Sequence, residues 1–138
     1  MKGVRVKEIN VLIVDDMPEI RSFIRGCLEI NFPHIAVHDT GSGKGAIARL
    51  EKGSFHLVLC DWELPDVNGD EVLSWVRTSS HRRDIPFIMV TSNGGREYIE
   101  RARQLGVTAY ITKPVDCKTL TGTVLDALDA AAGRGDGR

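Results

Sequence analysis

INVLIVDD (residues 9–16) is a run of apolar residues that stops at two carboxylates. Buried strands of a parallel sheet read as continuous apolar runs because helices cover both faces of the sheet. Residues 9–14 are therefore predicted to form a buried strand, with Asp15 and Asp16 at its carboxyl end. Ligands of open α/β sheets bind in the crevice outside the carboxyl ends of the strands. The pattern favours an α/β protein with its site at this edge.

Three further apolar runs also end at polar residues. FHLVLCD ends at Asp61, PFIMVTS contains Thr91 at its polar end, and AYITKP reaches Lys113. Together with Asp15 and Asp16, these runs place three carboxylates, one hydroxyl and one ammonium group where the crevice is expected. This set of groups is suited to holding a divalent cation and receiving a phosphoryl group.

Strand and helix signals alternate along the whole chain. Caps are predicted at Asp16, Ser42 and Asp116, and a left-handed helix end is predicted at Gly106. Five strands alternating with five helices predict a parallel sheet with right-handed crossovers and helices on both faces. The strands are predicted at residues 9–14, 35–38, 55–60, 86–90 and 107–111.

Size and composition indicate one domain. The 138 residues carry a net charge of -1, so the chain has no strong positive charge that would favour binding to nucleic acid. No apolar stretch is long enough for a signal peptide or a membrane span. The three cysteines are odd in number and form no CxxC pair, which argues against a disulfide framework or a zinc site. We expect a reduced cytoplasmic domain at residues 9–132, with an N-terminal extension at 1–8 and a disordered tail at 133–138.

The three carboxylates suggest binding of a divalent cation and formation of an acyl phosphate. Asp16 and Asp61 become neighbours if the first and third strands pair, and Asp15 can act through water. Magnesium takes oxygen ligands, and a cation relieves the repulsion among crowded carboxylates. Asp61 can also act as a nucleophile that forms an acyl phosphate, with Lys113 supplying positive charge and Thr91 a hydrogen bond.

The motifs VLIVDD, LVLCDWELPDVNG, IMVTS and AYITKP, in this order and spacing, resemble the receiver domain of bacterial two-component response regulators. The resemblance extends from about residue 9 to residue 131. It implies a flavodoxin-like, doubly wound five-stranded parallel sheet in the order 2-1-3-4-5, whose switch point lies between the first and third strands.

The resemblance also assigns roles to the acidic residues. Asp61 matches the phosphoacceptor, and Asp15 and Asp16 match the acidic pair that holds Mg²⁺, or Mn²⁺ in its place. The backbone carbonyl of Trp62 would be a further metal ligand.

Other positions match the switch of the family. Thr91 resembles the hydroxyl that moves toward the phosphoryl group, and Lys113 resembles the lysine that pairs with it. Tyr110 resembles the aromatic that turns inward, although a half-buried ring on the last strand would fit the same position. The Lys113–Pro114 bond is often cis in this family.

The resemblance also points to two positions that are variable in the family and flank the path of attacking water there, occupied here by Glu63 and Asn93. Glu63 and Asn93 are predicted to set the lifetime of the phosphorylated state, and the sequence does not indicate whether they lengthen or shorten it.

The phosphoryl donor is expected to be a histidine kinase or a histidine phosphotransfer protein, and the downstream target is expected to be a protein. The chain is expected to be a monomer or a weak phosphorylation-linked dimer. The surface for that target is predicted around the fourth helix, fifth strand and fifth helix, at Tyr98, Ile99, Tyr110, Val115 and Lys118.

The leading hypothesis is a stand-alone phosphoacceptor switch that promotes only its own phosphorylation and dephosphorylation. A receiver fragment of a larger regulator or hybrid kinase is an alternative. A second alternative is an aspartate-nucleophile phosphatase, which generally needs a second Asp where this chain has Glu63. A flavodoxin-like electron carrier is a third, but DDMPEI (residues 15–20) would repel a flavin phosphate unless a cation intervened.

Overall fold

The computed structural model describes the backbone of residues 8–136 and the side chains of residues 8–133. Strands and helices alternate strictly over this range. The strands are β1 (Ile9–Val14), β2 (Ile35–Thr40), β3 (Leu57–Cys60), β4 (Phe87–Thr91) and β5 (Ala109–Thr112). The helices are α1 (Pro18–Asn31), α2 (Gly43–Lys52), α3 (Gly69–Arg77), α4 (Arg96–Gln104) and α5 (Cys117–Asp136). Within residues 8–136, no helix has the length and apolar content needed to cross a membrane.

All strand pairs are parallel, and the sheet order is β2-β1-β3-β4-β5. This is the flavodoxin-like order predicted from the sequence. The order reverses between β1 and β3, where Val14 pairs with Cys60. The residues that follow these two, Asp15 and Asp61, therefore emerge side by side at the switch point.

Alternate strand residues supply the two halves of the core. One half packs under α2, α3 and α4 and contains Leu12, Val14, Val58 and Met89. The other packs under α1 and α5 and contains Val11, Ile13, Leu59 and Val90. Successive side chains of a strand point to opposite faces, so an uninterrupted apolar run fills both halves. This burial fixes the strand register and hence the positions of the residues beyond the strand ends.

The predicted helix ends are partly correct. Ser42 accepts a hydrogen bond from the backbone N–H of Gly45 at 3.0 Å and caps α2, and Asp116 accepts from that of Thr119 at 2.7 Å. Gly106 has φ +90, the left-handed value predicted after α4. The prediction for Asp16 is wrong: the cap position of α1 is Met17, which makes no side-chain cap. Helix α1 begins one residue later than an Asp16 cap would require.

Several boundaries also differ. Strand β2 extends to Thr40, two residues beyond the prediction, and β3 begins at Leu57 rather than Phe55. Edge pairing with β1 continues through Thr40, which the weak apolar pattern of IAVHDT did not reveal. Helix α5 continues to Asp136, four residues into the segment predicted as a tail. Extending an existing helix adds one hydrogen bond per residue, even at unfavourable glycines. Residues 1–7 and 137–138 lie outside the described range.

The prediction about cysteine is corrected as well. Cys27 in α1 and Cys117 at the start of α5 form a disulfide with a Cα–Cα distance of 5.6 Å. The two residues are 90 positions apart, and only the packing of α1 against α5 brings them together. Cys60 is a buried free cysteine.

The close approach of α3 to the Asp61 backbone gives a stability prediction. A Cβ on Gly69 would overlap the carbonyl oxygen of Asp61 and come within 3.0 Å of the Cα of Trp62. Gly69→Ala is expected to lower the free energy of unfolding by about 2 kcal/mol, because the backbone must shift to relieve this overlap. Urea unfolding measures the change.

Gly122→Ala is the matched control. Gly122 lies inside α5, and no neighbouring atom comes within 4 Å of the position that an alanine methyl group would take. Alanine there should raise stability by about 1 kcal/mol through helix propensity alone. Equal effects of the two substitutions would show that the contact between α3 and the Asp61 backbone is not tight.

Candidate functional site

The polar residues predicted to meet in a crevice do so. Asp15 and Asp61 follow the paired strands β1 and β3, Thr91 ends β4, and Lys113 follows β5. Asp15, Asp61 and Thr91 are the buried polar residues among those described, with exposed fractions of 2%, 8% and 1%. Because buried polar groups need partners, the contacts of these residues define the site.

Lys113 holds the two buried carboxylates together. Its Nζ donates to Oδ2 of Asp15 at 2.8 Å and to Oδ2 of Asp61 at 2.9 Å. Lys113 and Asp15 are 98 residues apart in the chain, so this contact connects the residue after the first strand to the residue after the last. The Lys113–Pro114 peptide is cis, as the family resemblance implied.

The second oxygen of each carboxylate accepts a backbone hydrogen bond. Oδ1 of Asp61 accepts from the N–H of Trp62 at 2.6 Å, and Oδ1 of Asp15 accepts from that of Met17 at 2.9 Å. Each buried carboxylate is therefore fixed in rotation between an ammonium group and the backbone. A carboxylate held in this way is pre-oriented for an incoming group.

Burial and charge act in opposite directions on these residues. Desolvation raises the pKa of Asp15, although the hydrogen bonds from Lys113 and from the backbone of Met17 act to lower it. Burial alone would lower the pKa of Lys113, but its hydrogen bonds to Asp15 and Asp61, with their negative charges, raise it overall. Lys113 therefore stays charged in the crevice and compensates the buried anions.

The acidic residues have the composition of a site for a hard divalent cation. Carboxylate oxygens of Asp15, Asp16 and Asp61 all lie within 4.8 Å of one another. Asp16 is exposed, whereas Asp15 is buried and both of its carboxylate oxygens accept hydrogen bonds. The carbonyl of Trp62 accepts the N–H of Gly69 at 2.7 Å and keeps a second lone pair for a ligand.

Asn93 joins the predicted switch residues to the predicted lifetime residue. Its backbone N–H donates to Oγ1 of Thr91 at 3.2 Å, and its carbonyl accepts from the hydroxyl of Tyr110. Its side-chain amide donates to Glu63 at 3.4 Å. The half-buried Tyr110 ring thus reaches over the loop after β4. The sequence suggested Glu63 and Asn93 as flanking groups but did not show that one residue contacts all three others.

The predicted partner surface is only partly open. Tyr98 packs edge-on against Trp62 with ring centroids 5.1 Å apart, so its ring belongs in part to the core. Ile99 and Val115 are also partly buried, whereas Lys118 is exposed. The Tyr98 contact connects α4 to the residue next to Asp61.

Arg21 is a site residue that the sequence did not reveal. Its guanidinium donates to the backbone carbonyl of Asp15 at 2.7 Å and pairs with Asp39 at 2.9 Å. It lies one turn into α1, where an arginine ordinarily indicates solvated helix surface. The charge of Asp39 at the end of β2 was a signal, but its use required the β1–β2 pairing.

The fold and site together define a doubly wound α/β protein with a lysine-bridged carboxylate cluster at the switch point. Comparison with known proteins agrees with this class. The family model described as the response regulator receiver domain matches residues 11–125. The chain belongs to the response regulator receiver domain family.

Individual relatives are similar over nearly their full length. The chain is 32% identical over 121 residues to the chemotaxis protein CheY-3 of Vibrio cholerae, covering 87% of this chain and 92% of the relative. It is 33% identical over 113 residues to the chemotaxis protein CheY of Pseudomonas aeruginosa, covering 81% and 90%. A CheY-like receiver domain protein from Methanospirillum hungatei superposes with a TM-score of 0.85 at 30% identity, covering 93% of this chain and 99% of that one.

The bridging role of Lys113 gives a second prediction. Lys113→Met leaves two carboxylates facing each other without their ammonium partner, which should lower the free energy of unfolding by about 3 kcal/mol. Millimolar Mg²⁺ should restore part of this loss, because a cation would again neutralise the cluster. Urea unfolding with and without Mg²⁺ measures both effects.

Lys118→Met is the control, since the Lys118 side chain is exposed near the start of α5. Its stability should stay within about 0.5 kcal/mol of wild type. A Lys113→Met protein as stable as wild type without Mg²⁺ would contradict the bridging role.

Proposed function

We propose that this chain is a phosphorylation-dependent binding switch, with Asp61 as the phosphoacceptor. The observation that carries the proposal is the Asp61 carboxylate held at the switch point between Lys113 and the Trp62 N–H, beside Asp15 and Asp16. Receiver domains of response regulators act as phosphoacceptors rather than as turnover enzymes, and the family membership supports the same role here.

The phosphoryl transfer is a single displacement. A carboxylate oxygen of Asp61 attacks the phosphorus of a phosphohistidine, the P–N bond breaks, and the imidazole leaves with the electron pair and takes up a proton. The product is an acyl phosphate on Asp61. Lys113, 2.9 Å from Asp61, is placed to neutralise charge on the transferring oxygens, which is the main contribution a protein makes to this chemistry.

Asp15, Asp16, Asp61 and the carbonyl of Trp62 would hold Mg²⁺, or Mn²⁺ in its place. Their oxygen donors and shared negative charge suit a hard cation, and the spacing of the carboxylates supports the assignment. The bound ion would supply positive charge to the phosphoryl oxygens during transfer.

Thr91 and Tyr110 would transmit the event. Both contact Asn93, so a Thr91 hydroxyl drawn toward a phosphoryl oxygen releases the Asn93 N–H and changes the loop that Tyr110 holds. The surface formed by Tyr98, Ile99, Tyr110, Val115 and Lys118 would then change its fit to a protein target. The negative charge added at Asp61 provides the driving force.

The proposed partners follow from the same chemistry. A histidine kinase or histidine phosphotransfer protein would donate the phosphoryl group, and a protein would be the downstream target. We propose a cytoplasmic regulator that is monomeric or forms a weak dimer when phosphorylated. It would act without binding nucleic acid or membrane.

The test of the phosphoacceptor uses acetyl phosphate and Mg²⁺ as the donor system. Wild type should gain the mass of one phosphoryl group, in an alkali-labile linkage, and chelation of the metal by EDTA should prevent this. Asp61→Asn should gain none. Intact-protein mass spectrometry measures the uptake.

Asp66→Asn is the matched control, because Asp66 is an exposed carboxylate on the same loop that contacts the backbone N–H groups of Gly43 and Lys44. It should be phosphorylated like wild type. Stoichiometric phosphorylation of Asp61→Asn would overturn the proposal.

The lifetime of the acyl phosphate gives a separate prediction. Glu63→Gln and Asn93→Ala each disturb the contact between these two side chains, which we propose lies beside the path of attacking water. Each should change the dephosphorylation rate by about tenfold, equivalent to about 1.4 kcal/mol in the barrier. Ser92→Ala, an exposed neighbour, should leave the rate unchanged. Rates that do not differ among the three variants would count against these roles.

A further inference from the structure

We propose that Cys27 and Cys117 are a reversible redox site that links α1 to α5. The assignment of this pair is independent of the proposed function. It would be oxidised by a hydroperoxide and reopened by a dithiol reductant.

The structure places the two sulfurs so that they can bond without a change of fold. Their Cα atoms are 5.6 Å apart, within the range that disulfides occupy, across a sequence separation of 90 residues. Helices α1 and α5 pack on the same half of the core, which holds both cysteines in place. The folded protein therefore holds the two cysteines in position to form a disulfide.

The two cysteines differ in exposure, as a reactive and a resolving thiol should. Cys27 is buried, with 5% exposed, whereas Cys117 is partly exposed. Cys117 lines an open surface depression of about 320 Å³ together with Asn31, Lys118 and Thr121. An oxidant or a thiol can reach the Cys117 sulfur through it, and exposed disulfides are the ones that undergo exchange. Cys60 is fully buried and is not reachable in this way.

Polar groups beside the cysteine pair can hydrogen-bond to the Cys117 sulfur when it changes from a disulfide to a thiol. The side-chain amide of Asn31 donates to the carbonyl of Cys27 at 2.8 Å and lies 4.0 Å from the sulfur of Cys117. The Thr121 hydroxyl oxygen is buried without a hydrogen-bond partner among the described residues. Thr121 lies one helical turn after Cys117, so a reduced Cys117 sulfur would offer this hydroxyl an acceptor.

The chemistry balances with hydrogen peroxide as the oxidant. The Cys117 thiolate attacks one peroxide oxygen, an S–O bond forms, the O–O bond breaks, and the other oxygen leaves as water after protonation. The Cys27 sulfur then attacks the sulfenic sulfur, the S–S bond forms, and the hydroxyl leaves as a second water. Two thiols lose two electrons and two protons, and the peroxide is reduced to two waters.

The link joins the two segments that leave the candidate site. Helix α1 begins just after Asp15 and Asp16, and Cys117 lies four residues after Lys113. Cys27 is the tenth residue of α1, so oxidation restrains the start of α5, and the Lys113 loop before it, relative to the body of α1. The reduced protein should allow this loop more movement without losing its fold.

Thiol counting tests the site directly. The reduced full chain is treated with hydrogen peroxide, quenched in acid, unfolded and alkylated, and its intact mass is measured. We expect only Cys60 to be alkylated, and dithiothreitol added to the folded, oxidised protein should restore alkylation of all three cysteines. Cys117→Ser should abolish the protected pair, whereas Cys60→Ala should retain it.

Other results would overturn the proposal. Full alkylation after peroxide, or a disulfide formed between two chains, would exclude an intramolecular redox pair. A bond that dithiothreitol opens only after unfolding would identify a static cross-link.

Hydrogen exchange tests the restraint on the folded wild-type protein. Amides of residues 113–121 should exchange severalfold more slowly in the oxidised form, because local opening then requires α1 to move as well. The oxidised form should also unfold at a Tm on the order of 10 °C higher. Equal exchange in both forms would overturn the restraint even if the thiols react as expected.

Discussion

The ammonium group of Lys113 is the contact on which the site depends. Parallel pairing of β1 with β3 brings Asp15 and Asp61 together. Two buried carboxylates whose oxygens lie within 4.8 Å of each other repel. Lys113 lies between them and makes their proximity tolerable. The remaining negative charge, with Asp16 at the rim, is what favours a cation there. One ion-pair network therefore connects β5 to the carboxyl ends of β1 and β3.

The same crevice is connected to the surface through a short chain of contacts. The N–H of Asn93 donates to Thr91 and its carbonyl accepts from Tyr110, so two side chains from different strands hold one loop residue. Tyr98 reaches Trp62 from α4 and connects the helix to the residue beside Asp61. These contacts connect the surroundings of Asp61 to α4 and β5. The Cys27–Cys117 link acts on the opposite half of the core, between α1 and α5.

Most of the fold and the position of the site could be predicted from the sequence, because both depend on local pattern. Apolar runs such as VLIV and LVLC mark strands that are covered on both faces, and their polar ends mark the crevice. Boundaries were less predictable: β2 is half-exposed and has little apolar signal, and α5 continues past two glycines by helix propagation. The Asp16 cap failed because a cap depends on backbone angles at one residue, and Met17 occupies that position.

The class of fold, the strand ends that carry the acidic residues, and the resemblance that assigns Asp61, Thr91 and Lys113 all follow from local sequence patterns. The three-dimensional packing was needed to show which of the adjacent residues Asp15 and Asp16 is buried, and that Arg21 supports the backbone of Asp15. It also decided that Cys27 meets Cys117. These features are contacts between residues far apart in the chain, and no local period or spacing encodes them. They exist only once the buried strands have fixed the register of the sheet and the helices have packed against it.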